Sequence, residues 1–369
     1  MIVGILKEPE FETRVSLLPD AVEQLVKKGI SVAIESQVGY KASATDQDYE
    51  RSGARVLPAE ELISSSDIIL SIHHPSSVLN ISSSKVLIGV YQPLYNRELV
   101  DYWLRQNLTV FSMDMLPRTT RAQSMDVLSS QANIAGYKAV LLAANQYPRY
   151  LPMFMTAAGS IAPAKVLILG AGVAGLQAIA TARRLGAVVE VFDTRPAVKE
   201  EVLSLGAKFV EVEGAADASS AGGYAVEQTE EYKQKQQQKI SDSIAKADIV
   251  ITTAQIPGKK APILVTEEMI SRMRNGSVII DLAAATGGNT PFTMNNETVI
   301  HNGITIIGNS NLPATMPSDA SKLYGKNILN FLQLITGKEM QLNLNWEDDL
   351  VKGSCITHNG EIVHEKIKN

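Results

Sequence analysis

The chain has a single cysteine, Cys355, so no disulfide can form within it, and one thiol with five scattered histidines supplies no zinc-finger pattern. It therefore reads as a cytosolic chain without a structural metal. A basic excess is also missing. Thirty-four Lys and Arg against 39 Asp and Glu leave a net charge of −5, which excludes the electrostatic footprint of a nucleic-acid binder or of a protein that lies on anionic lipid. Long apolar runs are lacking too: the most membrane-like stretch, Val166 to Ala182, holds three glycines and Gln177, and reads as strand, turn and helix. The opening MIVGILKEPE has neither the basic start nor the apolar core of a signal peptide. No Ser-His-Asp arrangement or metal-ligand cluster is visible.

What remains is an ordinary globular composition, 45% hydrophobic and 20% charged over 369 residues, which predicts two domains and excludes disorder, collagen and coiled coil. The first third alternates apolar runs with helical stretches. Strands are expected at Ile2 to Leu6, Ile30 to Ile34, Ile68 to Ile72, Val86 to Val90 and Leu108 to Met113, with helices at Pro19 to Lys28, Thr45 to Ser52 and Arg97 to Gln106. Such alternation predicts a parallel sheet with crossover helices. From Arg121 to Gln146 the spacing is helical over about seven turns, long enough to bridge two lobes. A second alternating unit follows, with strands at Val166 to Leu169, Val188 to Phe192, Lys208 to Val212, Ile249 to Thr253, Val278 to Asp281 and Ile304 to Ile307, and helix Ala197 to Leu205. It is interrupted by the insertion Gly214 to Ala247, glycine-rich at first, as lids often are, and then polar all round, as a solvated helix would be. A last long helix is expected from Ser318 to Leu334, returning the chain to the first lobe.

Gly170, Gly172 and Gly175 form G-x-G-x-x-G directly between the strand VLIL and the helix VAGLQAIATARRLG. The first glycine permits a tight turn, the second lets backbone approach a pyrophosphate, and the third lets helix and strand pack closely. Ala171 and Val173 complete the turn, and phosphate would sit at the helix start, where N–H groups and the dipole favour anions. The next strand ends in Asp193, 18 residues beyond Gly175, where an acidic residue binds ribose hydroxyls and repels a 2′-phosphate. NAD(H) is therefore expected over NADP(H), although Arg195, two residues on past Thr194, offers a charge that a phosphate would accept.

On these residues, together with KEPEFETRVSLLP, RAQSMDVLSSQANIAGYKAV, ITTAQIPGKKAP and NLPATMPSDASKLYGKNILNFL, the chain resembles the NAD(H)-binding domain I of proton-translocating nicotinamide nucleotide transhydrogenase, and more distantly alanine dehydrogenase. The likeness covers nearly the whole length. It implies a homodimer of two-lobed subunits with NAD(H) in the cleft, hydride passing directly to NADP(H) on a partner domain III, and a membrane domain that couples this to protons. The implied form is the separately encoded alpha-1 subunit, a cytoplasmic protein held at the inner face of the membrane by its partners. The expected fold is α/β, with two Rossmann-like doubly wound domains joined by long helices. Residues 1–125 and 310–369 form the first, discontinuous lobe, and 126–309 the NAD(H)-binding domain. Within PRTTRAQSMDVLS, the resemblance assigns Arg118, Gln123, Asp126 and Ser129 to the loop that orients the nicotinamide and its partner ring. Gly223 and Tyr224 match a mobile loop that closes over nucleotide, and Gln255, Pro257 and Gly258 the loop after the fourth strand of the second domain. The sequence departs from the family at Gln255, where leucine is usual, and in AAATGGN, where glutamate is usual before the glycines.

Alanine dehydrogenase is the alternative, sharing Arg14 as a holder of substrate carboxylate. Amino-acid oxidation needs a general acid or base beside the nicotinamide. Where that family has a lysine and a histidine, this chain reads SIHHPS and GVYQPLYN, with His73 and His74 but no lysine, and Gln92 in the histidine's place. Hydride exchange between two nicotinamides moves no proton at the reacting carbons, so the residues favour transhydrogenation. A non-catalytic NAD sensor is the third class, separated by a hydride-transfer assay with the partner domain.

Overall fold

Short runs of Val, Ile and Leu without polar alternation form strands buried on both faces, the pattern of parallel sheets covered by helices. The computed structural model describes residues 1–75, 81, 85–212, 229–337 and 339–368. The chain divides into two units, Met1–Gln131 with Pro313–Asn369, and Ala132–Leu312.

The first unit is built on an eight-stranded sheet in the order Glu361–Ile362, Cys355–His358, Thr109–Ser112, Val86–Gly89, Ile68–Leu70, Ile2–Ile5, Ser31–Glu35, Arg55–Leu57. The last six in this order are mutually parallel, and the two C-terminal strands pair antiparallel. Strand order reverses between Ile2–Ile5 and Ile68–Leu70, which makes the ends of those strands the topological switch point. Helix Pro19–Lys27 starts on its proline and ends on a lysine, and Asp46–Arg51 starts with a capping box of Thr45 and Asp48. The long helix Pro317–Leu334 buries Tyr324 and Phe331, the latter edge-on to Phe111 at 5.3 Å.

The second unit carries seven strands in the order Lys208–Phe209, Val188–Phe192, Lys165–Leu169, Ile249–Thr252, Val278–Asp281, Ile304–Gly308, Glu297–His301, all parallel except the last. Its switch point lies between Lys165–Leu169 and Ile249–Thr252. Helix Val173–Arg184 makes the crossover to Val188–Phe192. Helix Glu230–Ile244 is polar for most of its length but buries Ile240 and Ile244 against the sheet.

The expected helix Arg121 to Gln146 is not continuous. Thr120–Met125 is a 3-10 turn, Asp126 is extended, and the α-helix is Val127–Gln146. The Asp126 carboxylate accepts the Ser129 N–H at 2.9 Å, and this capping bond competes successfully with helical continuation. The strand expected at Lys208 to Val212 spans only Lys208–Phe209. Sequence patterning also missed strands Arg55–Leu57 and Glu297–His301, hairpin Phe154–Thr156 with Gly159–Ile161, and both C-terminal strands.

Candidate nucleotide-binding site

Each glycine of the fingerprint meets a different constraint. Gly170 has φ +107°, and a Cβ there would stand 2.2 Å from Thr253 Oγ1. A Cβ on Gly175 would stand 1.9 Å from the Gly170 carbonyl oxygen, so only glycine lets the helix approach the turn. A Cβ on Gly172 would meet nothing within 4 Å. Gly172 is also the N-cap of Val173–Arg184 and provides no side-chain acceptor for the first N–H groups. The turn thus opens onto space where a phosphate could take those donors.

Asp193 follows Val188–Phe192 and is buried. Its Oδ2 accepts the Ala171 N–H at 2.7 Å, which fastens the strand tip to the glycine turn. Its Oδ1 accepts the Arg195 N–H at 2.8 Å and Nε–H at 2.9 Å, and Oδ2 accepts from Arg195 Nη2 at 2.8 Å. Asp193 and Arg195, which sequence reasoning set against each other as ribose and phosphate ligands, are therefore one ion pair.

Across the switch point, Thr253 Oγ1 donates to the carbonyls of Leu169 and Gly170 at 3.2 and 3.3 Å. The loop beyond carries Gln255, whose Nε2 donates to the Leu282 carbonyl at 2.8 Å, exposed Pro257, and Gly258 at φ +72°. Asn289 holds this loop. Fully buried, it accepts the Ala254 N–H at 3.1 Å and donates to the carbonyls of Ala254 and Pro262 at 2.9 and 2.8 Å. Asn289 ends the AAATGGN segment in which the sequence departs from its family, and spacing alone did not mark it as the loop's anchor. Gly223 and Tyr224 lie outside the described residues.

In the first unit, Arg118 and Gln123 are exposed on the segment that includes the 3-10 turn. Asp126 and Ser129 meet directly, Ser129 Oγ donating to Asp126 Oδ2 at 2.6 Å beside the capping bond. The segment is held by residues that sequence reasoning did not single out. Asn327 and Asn330 of Pro317–Leu334 both donate to the Ser124 carbonyl at 2.8 Å, and Arg121 forks onto Asp348 at 2.6 and 2.7 Å. Burial alone would raise the Asp348 carboxyl, but hydrogen bonds from Arg121 and the Leu350 N–H hold it below its ordinary range.

At the switch point of this unit, Arg14 is taken up by Glu12. Nε donates to Oε1 at 2.9 Å and Nη2 to Oε2 at 2.7 Å, while Nη1 donates to Gln131 at 2.8 Å. His73 Nε2 lies 2.8 Å from the same Glu12 carboxylate. Burial opposes ionisation of Glu12, yet the Arg14 and His73 hydrogen bonds hold its carboxyl far below the usual range. His74 packs against Tyr91, Tyr102 and Trp103, and burial pushes it down to about 4, so it is neutral near pH 7. Among the described residues no group of three or more His, Cys, Asp or Glu could hold a metal, and no helix is long and apolar enough to cross a membrane.

Two family models match the chain: the alanine dehydrogenase/PNT N-terminal domain over residues 4–135 and the alanine dehydrogenase/PNT C-terminal domain over residues 139–365. The first portion of a divided NAD(P) transhydrogenase subunit alpha, from Rhodospirillum rubrum, is 45% identical over 364 residues, 96% of this chain and 95% of that protein. A solved transhydrogenase structure from Sinorhizobium meliloti superposes with a TM-score of 0.90 at 45% identity, covering 98% of this chain and all of that one. A solved L-alanine dehydrogenase is more distant, with a TM-score of 0.82 and 26% identity over 100% of this chain and 98% of that one.

Proposed function

The chain belongs to the NAD(P) transhydrogenase alpha-subunit group of the alanine dehydrogenase/PNT family, and from that premise we propose that it binds NAD(H) and exchanges hydride directly with NADP(H) held on a partner domain. The observation that carries the reading is the corner formed by the Gly172 turn and Asp193, where an uncapped helix start and a buried carboxylate are joined by the Ala171 N–H. Gly170, Ala171, Gly172, Val173 and Gly175 would hold the pyrophosphate, and Asp193 with Thr194 and Arg195 the adenosine ribose. Gln255, Pro257 and Gly258 would border the adenosine side, with Gly223 and Tyr224 closing over it. Bound NAD(H) supplies the hydride; the protein's role is to bind and aim it. Arg118, Gln123, Asp126 and Ser129 would orient the carboxamide, because ring-to-ring transfer requires reacting atoms about 3 to 3.5 Å apart.

Amino-acid oxidation is supported less well. The donors Arg14 would offer a substrate carboxylate are engaged by Glu12 and Gln131, and His74 is a neutral ring packed among aromatics. The proposed assembly is a homodimer at the cytoplasmic face of the membrane, with domain III and a proton-translocating membrane domain as partners.

The test is to mix the chain with an NADP(H)-binding domain III and measure NADH-dependent reduction of an NADP analogue. Transfer is expected with the mixture and not with either component alone, and homogeneous chain should form no NADH from L-alanine and NAD⁺. Gln123→Asn should leave NADH affinity within a few-fold yet slow single-turnover transfer at least ~10-fold, since misplacement by about 1 Å can cost roughly 100-fold. Alanine-dependent NADH formation, or no transfer with domain III, would overturn the reading.

A further inference from the structure

The Asp193 carboxylate receives four N–H donors, two on each oxygen: Ala171 N and Arg195 Nη2 on Oδ2, Arg195 N and Nε on Oδ1. A carboxylate offers about four lone-pair positions, so its accepting capacity is filled within the chain. Two of these donors are backbone groups fixed by the glycine turn and the strand tip. The other two belong to a guanidinium whose side chain is 19% exposed, against 6% for the carboxylate. An adenosine ribose brings two donors, its vicinal hydroxyls, and they require the oxygens that the guanidinium covers. A 2′-phosphorylated ribose retains only one of them and adds negative charge.

We propose that Arg195 is the specificity-determining residue of the ribose site, a displaceable plug that a vicinal diol replaces donor for donor and a 2′-phosphorylated ribose does not. The proposal rests on the NAD(H) reading above and extends it from Asp193 to the pair. The structure also provides a second anchor for the released side chain. Arg195 leads through the turn Pro196–Val198 into helix Lys199–Ser204, and the exposed Glu201 on that helix already acts on its charge. Discrimination then has two components: Asp193 repels the phosphate, and it keeps Arg195 from receiving it. Removing Asp193 should reverse the second by releasing the guanidinium toward the phosphate.

Calorimetric affinities for NADH and NADPH in wild type, Arg195→Ala, Asp193→Ala and the double variant test this. Arg195→Ala should bind NADH roughly 2- to 10-fold tighter, as expected when a competing hydrogen-bonded pair is removed, and NADPH more weakly. Asp193→Ala should lose at least ~10-fold in NADH affinity and bind NADPH more tightly than wild type, a gain the double variant should lack. Weaker NADH binding by Arg195→Ala, or equal NADPH affinity in Asp193→Ala and the double variant, would overturn the plug. Should Asp193→Ala fail to fold, wild-type protein suffices: the Arg195 Nε–H resonance should move with adenosine 5′-monophosphate and stay in place with adenosine 2′,5′-bisphosphate, and the opposite pattern would sink the proposal. Equal wild-type affinities for NADH and NADPH would instead refute the NAD(H) reading. A wild-type preference for NADH with an unmoved Arg195 resonance would refute the plug alone.

Discussion

Gly172 and Gly175 show how differently one residue type can be used within a single turn. Alanine at 175 would place its Cβ 1.9 Å from a backbone oxygen that cannot move without opening the turn. Overpacking of about 1–3 kcal/mol is expected, lowering the thermal midpoint by roughly 2–12 °C. Alanine at 172 meets no protein atom within 4 Å, so the midpoint should stay within about 2 °C while NADH affinity falls at least ~10-fold. Unfolding scans and calorimetry on both variants check this, and a fall in affinity without loss of stability at 172 is the informative result. Glu8 carries a separate prediction. Burial raises its carboxyl from 4.5 to about 7, outweighing the N–H groups of His73 and Ile72 that it accepts. Folding favours its protonated form, so this stabilisation is complete below about pH 4.5 and is lost as pH rises through about 7. Glu8→Gln keeps an acceptor and removes the titration. The wild-type midpoint minus that of Glu8→Gln should therefore fall between pH 5 and 8, by the equivalent of up to about 3 kcal/mol. His74, pushed down to about 4, titrates with the opposite slope below 6.5, but it is present in both proteins and cancels. Parallel pH profiles would contradict the Glu8 assignment.

At the scale of elements, the start of Val127–Gln146 combines a structural duty with a proposed reactive one. Asp126 caps the helix through the Ser129 N–H and hydroxyl, and its loss should cost about 0.5–2 kcal/mol. Asp126→Ser retains a capping oxygen, whereas Asp126→Ala does not. If the carboxylate also aims the nicotinamide, both variants should slow hydride transfer and only the alanine should lower the thermal midpoint. A transfer rate that merely tracks stability would leave capping as its whole role. The same logic applies to the Ser124 carbonyl, shared by Asn327 and Asn330 of Pro317–Leu334. Replacing both asparagines with alanine should loosen the turn and reduce transfer more than NADH affinity, because the contacts at Gly172 and Asp193 lie in the other unit.

At the scale of the whole molecule, the first unit is closed by its C-terminal segment. Leu350, Val351, Cys355, Ile356 and Ile367 are all buried there, and the strand Cys355–His358 covers the edge of Thr109–Ser112. Burial contributes about 1.5–3 kcal/mol per large apolar side chain, so removing these groups takes away as much as the total stability of a typical domain, about 5–15 kcal/mol. A chain cut after Trp346 should lose the cooperative unfolding of this unit, read through the fluorescence of fully buried Trp103. Retention of a wild-type transition would show that the two terminal strands are dispensable.

The parallel sheets, the crossover helices and the strand–turn–helix around Gly170 were legible because they rest on local patterning: apolar runs of strand length, capping residues, and glycines where φ is positive or helix meets turn. Local spacing misread the stretch before Val127, where a side chain competes with the helix for a single N–H. It passed over the terminal strands, which are short and gain their stability from a partner far away along the chain, Cys355 pairing with Phe111. Only the tertiary structure decided that Glu12 occupies Arg14, that two asparagines of a distant helix hold Ser124, and that Asn289 anchors the loop carrying Gln255. Even Asp193 and Arg195, two residues apart, could be read as rivals until the fold turned both toward the same point. Periodicity reports which side of an element faces the core, whereas the partner of a polar group depends on which elements the fold brings together, and that is set by burial of the whole chain.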